Sequence, residues 1–185
     1  MSSIPQVLSV GKSSSHTTSK SPAVSITLVP GLGVQGDCHA GKNVQHLSLR
    51  QANPEASNLR QVHLVAIETL RQVSAKLVGM KPLSPGEIGE NITTEGLDLT
   101  SLSRGTELHF VGPGRTSDTA IVVLTGLRNP GPGMNKCRPG LKELFAGVGK
   151  RSAGVMATVK QGGVIKAGMR IEIVKPSRAE PLAVV

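Results

Sequence analysis

The 185-residue chain has no tryptophan, no tyrosine and only two phenylalanines, Phe110 and Phe145. A core without large rings must be filled by Val, Leu and Ile, and β-branched residues favour strands. The same scarcity argues against nucleic acid as a partner, because single-strand binding relies on aromatic stacking platforms. No run of five or more Lys/Arg offsets that lack. Cysteine is scarce too: Cys38 and Cys137 allow no disulfide framework and point to a reducing compartment. No stretch approaches the roughly 20 apolar residues of a membrane span. The N-terminus has no apolar stretch of roughly 7–15 residues behind a basic start, as a secretory signal would. These absences predict a cytoplasmic protein with no membrane contact.

What is present is a strand-former composition cut by many turns, with 22 Gly and 12 Pro. The length suits one domain, 1–185, with its core over about 7–174. Strands are expected at 24–29, 61–67, 106–111 and 119–125, with two more within 154–174. Helices are expected over 68–78, with Leu70, Val73 and Leu77 on one face, and over 139–147, with Pro at its start and Gly at its end. Residues 12–22 read as a mobile polar loop and 176–185 as a disordered tail. The expected fold class is mainly β, barrel-like, with two or three peripheral helices. A net charge of +9 and a pI near 10.1 favour an anionic small-molecule ligand.

Three clusters hold the polar chemistry. The first, G-D-C-H-A-G from Gly36 to Gly41, sets Asp37, Cys38 and His39 side by side. Asp37 can orient His39, or the turn can be a simple Asx-type loop. His46 and His63 add imidazoles, but there is no HxxxH or CxxC spacing, which argues against zinc. The second, P-G-E-I-G-E-N-I-T-T-E-G from Pro85 to Gly96, carries Glu87, Glu90 and Glu95. It reads as a ligand-facing loop or as a polar connection. The third, T-G-L-R-N-P-G-P-G-M-N-K-C-R-P-G-L, has Arg128 at a strand end, where a guanidinium can clamp phosphate or carboxylate. Arg60, Lys136, Arg138, Lys150 and Arg151 are cations that the fold can add. Cys137, between Lys136 and Arg138, reads equally as a thiolate favoured by its neighbours or as a packing residue. "GKSS" at 11–14 is no phosphate-binding loop, since Gln6 stands where that motif requires glycine.

In this order the clusters resemble the MOSC domain, named after the C-terminal domain of molybdenum-cofactor sulfurases, and the stand-alone members most closely. The resemblance runs from about Val7 to Val174 and rests on GLGVQGDCHAG, NLRQVHLV, LSPGEIGENITTEGLDL, VVLTGLRNP and SAGVMATVKQGGVIKAGMRIEIV. It implies a barrel whose loops converge on one pocket that binds the molybdenum cofactor, a phosphate-bearing pterin, or handles sulfur bound for it. Several members reduce N-hydroxylated bases. Carried over by residue, the implied pocket holds Asp37, His39, Arg60, Glu90, Asn91, Thr93, Thr94, Arg128 and Asn129. Stand-alone members usually read R-N-P-C in the third cluster; here Gly131 stands at the cysteine position. The remaining candidates for a metal-binding thiolate are Cys137 and Cys38.

Molybdenum-linked sulfur transfer or reduction is the first functional expectation. The alternatives are a metal-independent acid/base enzyme, of lyase, isomerase or dehydratase type, using Asp37 and His39, and a non-catalytic pterin- or nucleotide-binding module. Pyridoxal phosphate is not expected, because the sulfurase partner domain that uses it is absent from this sequence.

Overall fold

Alternating apolar runs become strands in the computed structural model, which describes residues 4–113, 119–148 and 152–185. In chain order come β1 (Gln6–Lys12), β2 (Ser21–Ala23), β3 (Ile26–Val29), β4 (Gly33–Val34), α1 (Leu47–Ala52), β5 (Val62–Ala66) and α2 (Ile67–Ser74). Then follow β6 (Ile92–Glu95), β7 (Glu107–Val111), β8 (Ala120–Leu127), α3 (Met134–Cys137), α4 (Leu141–Ala146), β9 (Val155–Gln161), β10 (Gly163–Ile165) and β11 (Arg170–Val174). A 3-10 turn, Leu99–Ser101, lies between β6 and β7.

Strands β11, β7, β8, β9, β5, β6 and β1 pair in that order, and β1 returns to β11 through Gln6 opposite Arg170. The result is a closed seven-stranded barrel, which hides the edges an open sheet would expose. Among the described residues only β5 and β6 run parallel within it, as α2 and the crossover between them require. β2 pairs outside the ring on β1, while β10, β3 and β4 form a separate three-stranded sheet.

Strand β5 is buried along its whole length and divides the interior in two. Val62, Leu64 and Ala66 face the barrel core with Ile92, Phe110, Val122 and Leu124. Val65 faces outward into a second core with Leu70, Val73, Ile88, Met134, Leu141 and Phe145. Each core thus has one of the two phenylalanines. The two-residue period of the strand also turns His63 outward, so a polar side chain is set between the cores.

The mainly β, barrel-like architecture is as expected, and among the described residues four short helices pack outside it. Helices α1 and α3, both in Pro/Gly- or polar-rich stretches, were not foreseen. Expected helix 68–78 ends at Ser74, where backbone bonds tighten to three-residue spacing and Ser74 Oγ accepts from Leu83 N at 2.8 Å. The expected helix over 139–147 starts at Leu141, because Gly140 adopts φ 79° and makes a turn before it. The closing segment holds three strands, not two. Gly163, at φ 157°, begins β10, which leaves the barrel to pair with β3.

Residues 12–22, expected as a mobile loop, contribute the end of β1 and the first two residues of β2, and they bury Lys20. The tail expected to be disordered lies along the barrel. Leu182 is buried there, Leu127 N donates to Ala183 O at 2.7 Å, and Val185 N donates to Leu127 O at 3.3 Å. Among the described residues no helix is long and apolar enough to cross a membrane.

Gly154 is the tightest point under the third cluster. Its φ is +100°, and a Cβ there would collide with the Leu64 carbonyl oxygen and stand 2.7 Å from Val65 Cγ2 and 3.1 Å from His63 Nε2. Gly154→Ala is expected to destabilise the fold by at least about 2 kcal/mol, combining left-handed strain with the clash. Urea denaturation measures this, and a wild-type midpoint would contradict it.

Candidate functional site

The three polar clusters and the 13–20 segment meet around one cleft of about 310 Å³. A buried ion pair forms part of its wall, with Lys20 on the lining and Asp37 behind it. Lys20 Nζ donates to both Asp37 oxygens, at 2.9 and 2.7 Å, with side-chain exposures of 4% and 0%. Asp37 also accepts from His39 N at 3.0 Å, Ser13 N at 3.2 Å and Asn91 Nδ2 at 3.0 Å. Asn91 Nδ2 donates further to Gly11 O, and Asn91 Oδ1 accepts from His63 N. One carboxylate therefore joins the loop after β1, the Gly36–Gly41 turn and the loop before β6. Burial works to raise the Asp37 pKa. The contacts from His39 and Lys20 overcome it and hold the carboxyl far below its usual range. Asp37 is thus a fixed anion, and the acid/base role expected for it is not supported.

Cations without acidic partners face the cleft. Arg60, Arg128 and Lys136 line it, and none has a salt bridge among the described residues. Arg128 leaves the end of β8 with its backbone tied to Ala153 and Gly154, and Nη1 donates to Ile88 O at 2.8 Å. Burial pulls its pKa down to about 10, with Glu90 opposing the shift, so the guanidinium stays charged at neutral pH. Arg60 Nη2 donates to Val185 O, while its buried Nε has no hydrogen-bond partner among the described residues.

Glu90 lies behind this surface, 1% exposed. Its Oε1 accepts from Gly86 N at 2.7 Å and from Thr93 Oγ1 at 3.2 Å, and its Oε2 has no partner among the described residues. Burial raises its pKa, against the pull of the Gly86 N–H. Thr93 and Thr94 belong to buried β6, so both support the site from behind; the Thr94 hydroxyl is also without a partner among the described residues. Asn129 is exposed and lies outside the cleft lining.

Four of the five histidines line the cleft. His16 and His39 rings meet edge to face at 5.1 Å, and His39 and His46 lie 6.4 Å apart at 29°. His63 Nε2 bonds Ala153 O at 2.7 Å, and burial keeps this ring's pKa well below the ordinary imidazole value. Burial, followed by neighbouring His39 for His16 and Arg60 for His46, also lowers those two.

The two thiols part ways. Cys137, half-buried, lines the cleft with Sγ 3.6 Å from Thr18 O while packing against the outer core. The packing reading is therefore met, and the same thiol reaches the cleft. Cys38 Sγ stands 3.2 Å from His39 Nδ1, and burial followed by Asp37 raises its pKa. At Gly131, where the resemblance leads one to look for cysteine, a Cβ would meet nothing within 4 Å.

Arg138 turns away from the cleft to Glu87, at 2.5 Å. Lys150 and Arg151 lie outside the described residues. Sequence reasoning missed Lys20, His16 and Asn58, whose amide braces the His39 and Gly41 carbonyls at 2.9 and 3.0 Å. Nothing local marks them, because each acts on a partner from another loop.

The fold and site define a class: a closed β-barrel whose polar loops enclose a positively charged cleft with a thiol on its wall. The MOSC domain family matches residues 51–172, and the chain belongs to that family. Its fold is similar to the YUAD protein from Bacillus subtilis, with TM-score 0.78 at 20% identity over 95% of this chain and 98% of that one. It is also similar to YiiM from Geobacillus stearothermophilus (TM-score 0.66, 17% identity, 96% of this chain and 79% of that one). YiiM from Escherichia coli aligns with TM-score 0.62 at 18% identity, over 97% of this chain and 73% of that one. No curated protein matches the chain in sequence.

Removing one partner of the buried pair strands the other, which costs about 3–5 kcal/mol. Lys20→Met is expected to lose that much in chemical denaturation at neutral pH. Because the folded-state pKa of Asp37 is depressed, its stabilisation is present above the unfolded carboxylate value of 3.8 and is lost as pH falls below it. Asp37→Asn, less stable at neutral pH, should show a shallower loss of stability on acidification than the wild type.

Proposed function

We propose that the cleft binds a phosphate-bearing pterin carrying molybdenum, and that the chain works in molybdenum-cofactor-linked sulfur transfer or reduction. The observation that carries this reading is the convergence of the Cys137 thiol with the unpaired cations Arg60, Arg128 and Lys136 on one cleft. Thiolate is a soft ligand suited to molybdenum–sulfur chemistry, and guanidinium forks suit a phosphate. The buried, unpartnered Nε of Arg60 is a further donor in want of an acceptor. The donor set therefore fits such a group.

When bound, the cofactor supplies two-electron transfer together with atom transfer at the metal. The chain's own residues do the rest. Arg60, Arg128 and Lys136 balance the phosphate charge, Cys137 offers sulfur where position 131 has only glycine, and His46 stands on the wall as a proton carrier. Glu90, behind Arg128, holds that guanidinium in a favourable field. The metal-independent alternative keeps His39 but lacks a protonatable Asp37, which weighs against it.

Protein purified from a cofactor-producing host is expected to contain close to one molybdenum per chain by elemental analysis. Cys137→Ser should lose most of it, Arg60→Ala part of it, and Cys38→Ser little. Wild-type protein free of molybdenum would sink the reading, as would full retention in Cys137→Ser. Bound cofactor with no turnover across sulfur acceptors and N-hydroxylated bases would favour the non-catalytic binding module.

A further inference from the structure

We propose that His16, Cys38 and His39 form a zinc-binding site on the edge of the cleft, with the fourth coordination position open toward it. One ligand atom from each residue lies within 4.8 Å of the other two. The geometry is close to that of a bound ion before any ion is present. With Zn–S about 2.3 Å and Zn–N about 2.0–2.1 Å, a tetrahedral S···N edge is about 3.5 Å; Cys38 Sγ and His39 Nδ1 stand 3.2 Å apart. Two imidazoles on one tetrahedral zinc place their ring centres roughly 5 Å apart, and those of His16 and His39 are 5.1 Å apart.

The ligands are also held in place by groups that are not ligands. The Lys20–Asp37 pair fixes the turn, with His39 N donating to Asp37 Oδ1 at 3.0 Å. Cys38 N donates to Ser13 O at 2.8 Å, which ties the Cys38 turn to the loop carrying His16. That loop is braced in turn by Ser13 Oγ and Thr17 Oγ1, 3.0 Å apart. The Asp37 carboxylate, 3.3 Å from His39 Nδ1, places a fixed negative charge behind the ion.

Chemistry selects the ion. One thiolate and two imidazoles suit a borderline-soft cation and not Mg²⁺ or Ca²⁺, which take oxygen ligands. Three protein ligands with a free fourth position is the arrangement of zinc sites that act on a ligand, while closed four-ligand sites are structural. Because His16 and His39 line the cleft, the free position faces it and takes water or an anionic group of the cleft's occupant. The absence of HxxxH or CxxC spacing hid the cluster, since its ligands come from two loops. The site uses Cys38 and not Cys137, so it does not rest on the pterin reading.

The test is titration of the full chain, freed of metal by chelation, with Co²⁺ and then Zn²⁺. A single equivalent of Co²⁺ should give the visible bands of a tetrahedral ion and a thiolate-to-cobalt charge-transfer band, both removed by Zn²⁺. Cys38→Ser should abolish the charge-transfer band. His16→Ala, at an exposed position, should weaken zinc by more than the roughly 10-fold that loss of an outer-shell partner costs. Cys137→Ser should leave both readouts unchanged. No charge-transfer band, a band that survives Cys38→Ser or vanishes in Cys137→Ser, or unchanged affinity in His16→Ala overturns the proposal. Molybdenum content separates the two ideas: cobalt binding with no molybdenum sinks the pterin reading alone, and molybdenum without cobalt binding sinks this one alone.

Discussion

The buried contact between Lys20 and Asp37 is the constraint on which the site depends. Two charges removed from water are tolerated only when their remaining hydrogen-bonding capacity is met. Here it is met by Asn91, Ser13 N and His39 N. Satisfying that demand is what draws three loops together. His39 takes its position from it directly and His63 through Asn91, while the loop that carries His16 is tied to it at Ser13. A polar cluster that looks catalytic in sequence is thus first an architectural knot.

Below the knot, strand β5 separates two apolar cores and sends His63 toward the cleft. Arg128 then leaves β8 with its backbone locked to Ala153 and Gly154, so its charge is delivered by the sheet and not by a free loop. Strand ends position Arg128 and His63, helix α3 carries Lys136 and Cys137, and loops bring His16, His39 and Arg60. The cleft thus joins a positive wall to a histidine-rich rim, with the Cys137 thiol on its lining and Cys38 beside the rim at His39.

Much of the fold was legible. The runs at 61–67, 106–111 and 119–125 became β5, β7 and β8 with boundaries shifted by one or two residues. Apolar alternation encodes strand existence directly. Barrel closure was less so, because it depends on the single return of β1 to β11. Of the candidate residues, His39, Arg60, Asn91, Arg128 and Cys137 line the cleft, whereas Asp37, Glu90, Thr93 and Thr94 stand behind it and Asn129 outside it. Motif membership places a residue near the site. It does not say which side of the wall the residue is on.

By itself, then, the sequence determined the strand-rich class, the positive balance and the family, because composition, periodicity and motif order are local properties of the chain. Only the tertiary structure decided that Asp37 is a fixed anion, that Lys20 is its partner, that Cys137 reaches the cleft, and that His16 meets Cys38 and His39. Ionisation depends on burial and on neighbours, and ligand sets depend on distance. Both are set by loops that meet across the fold, and neither is written in the spacing of residues along it.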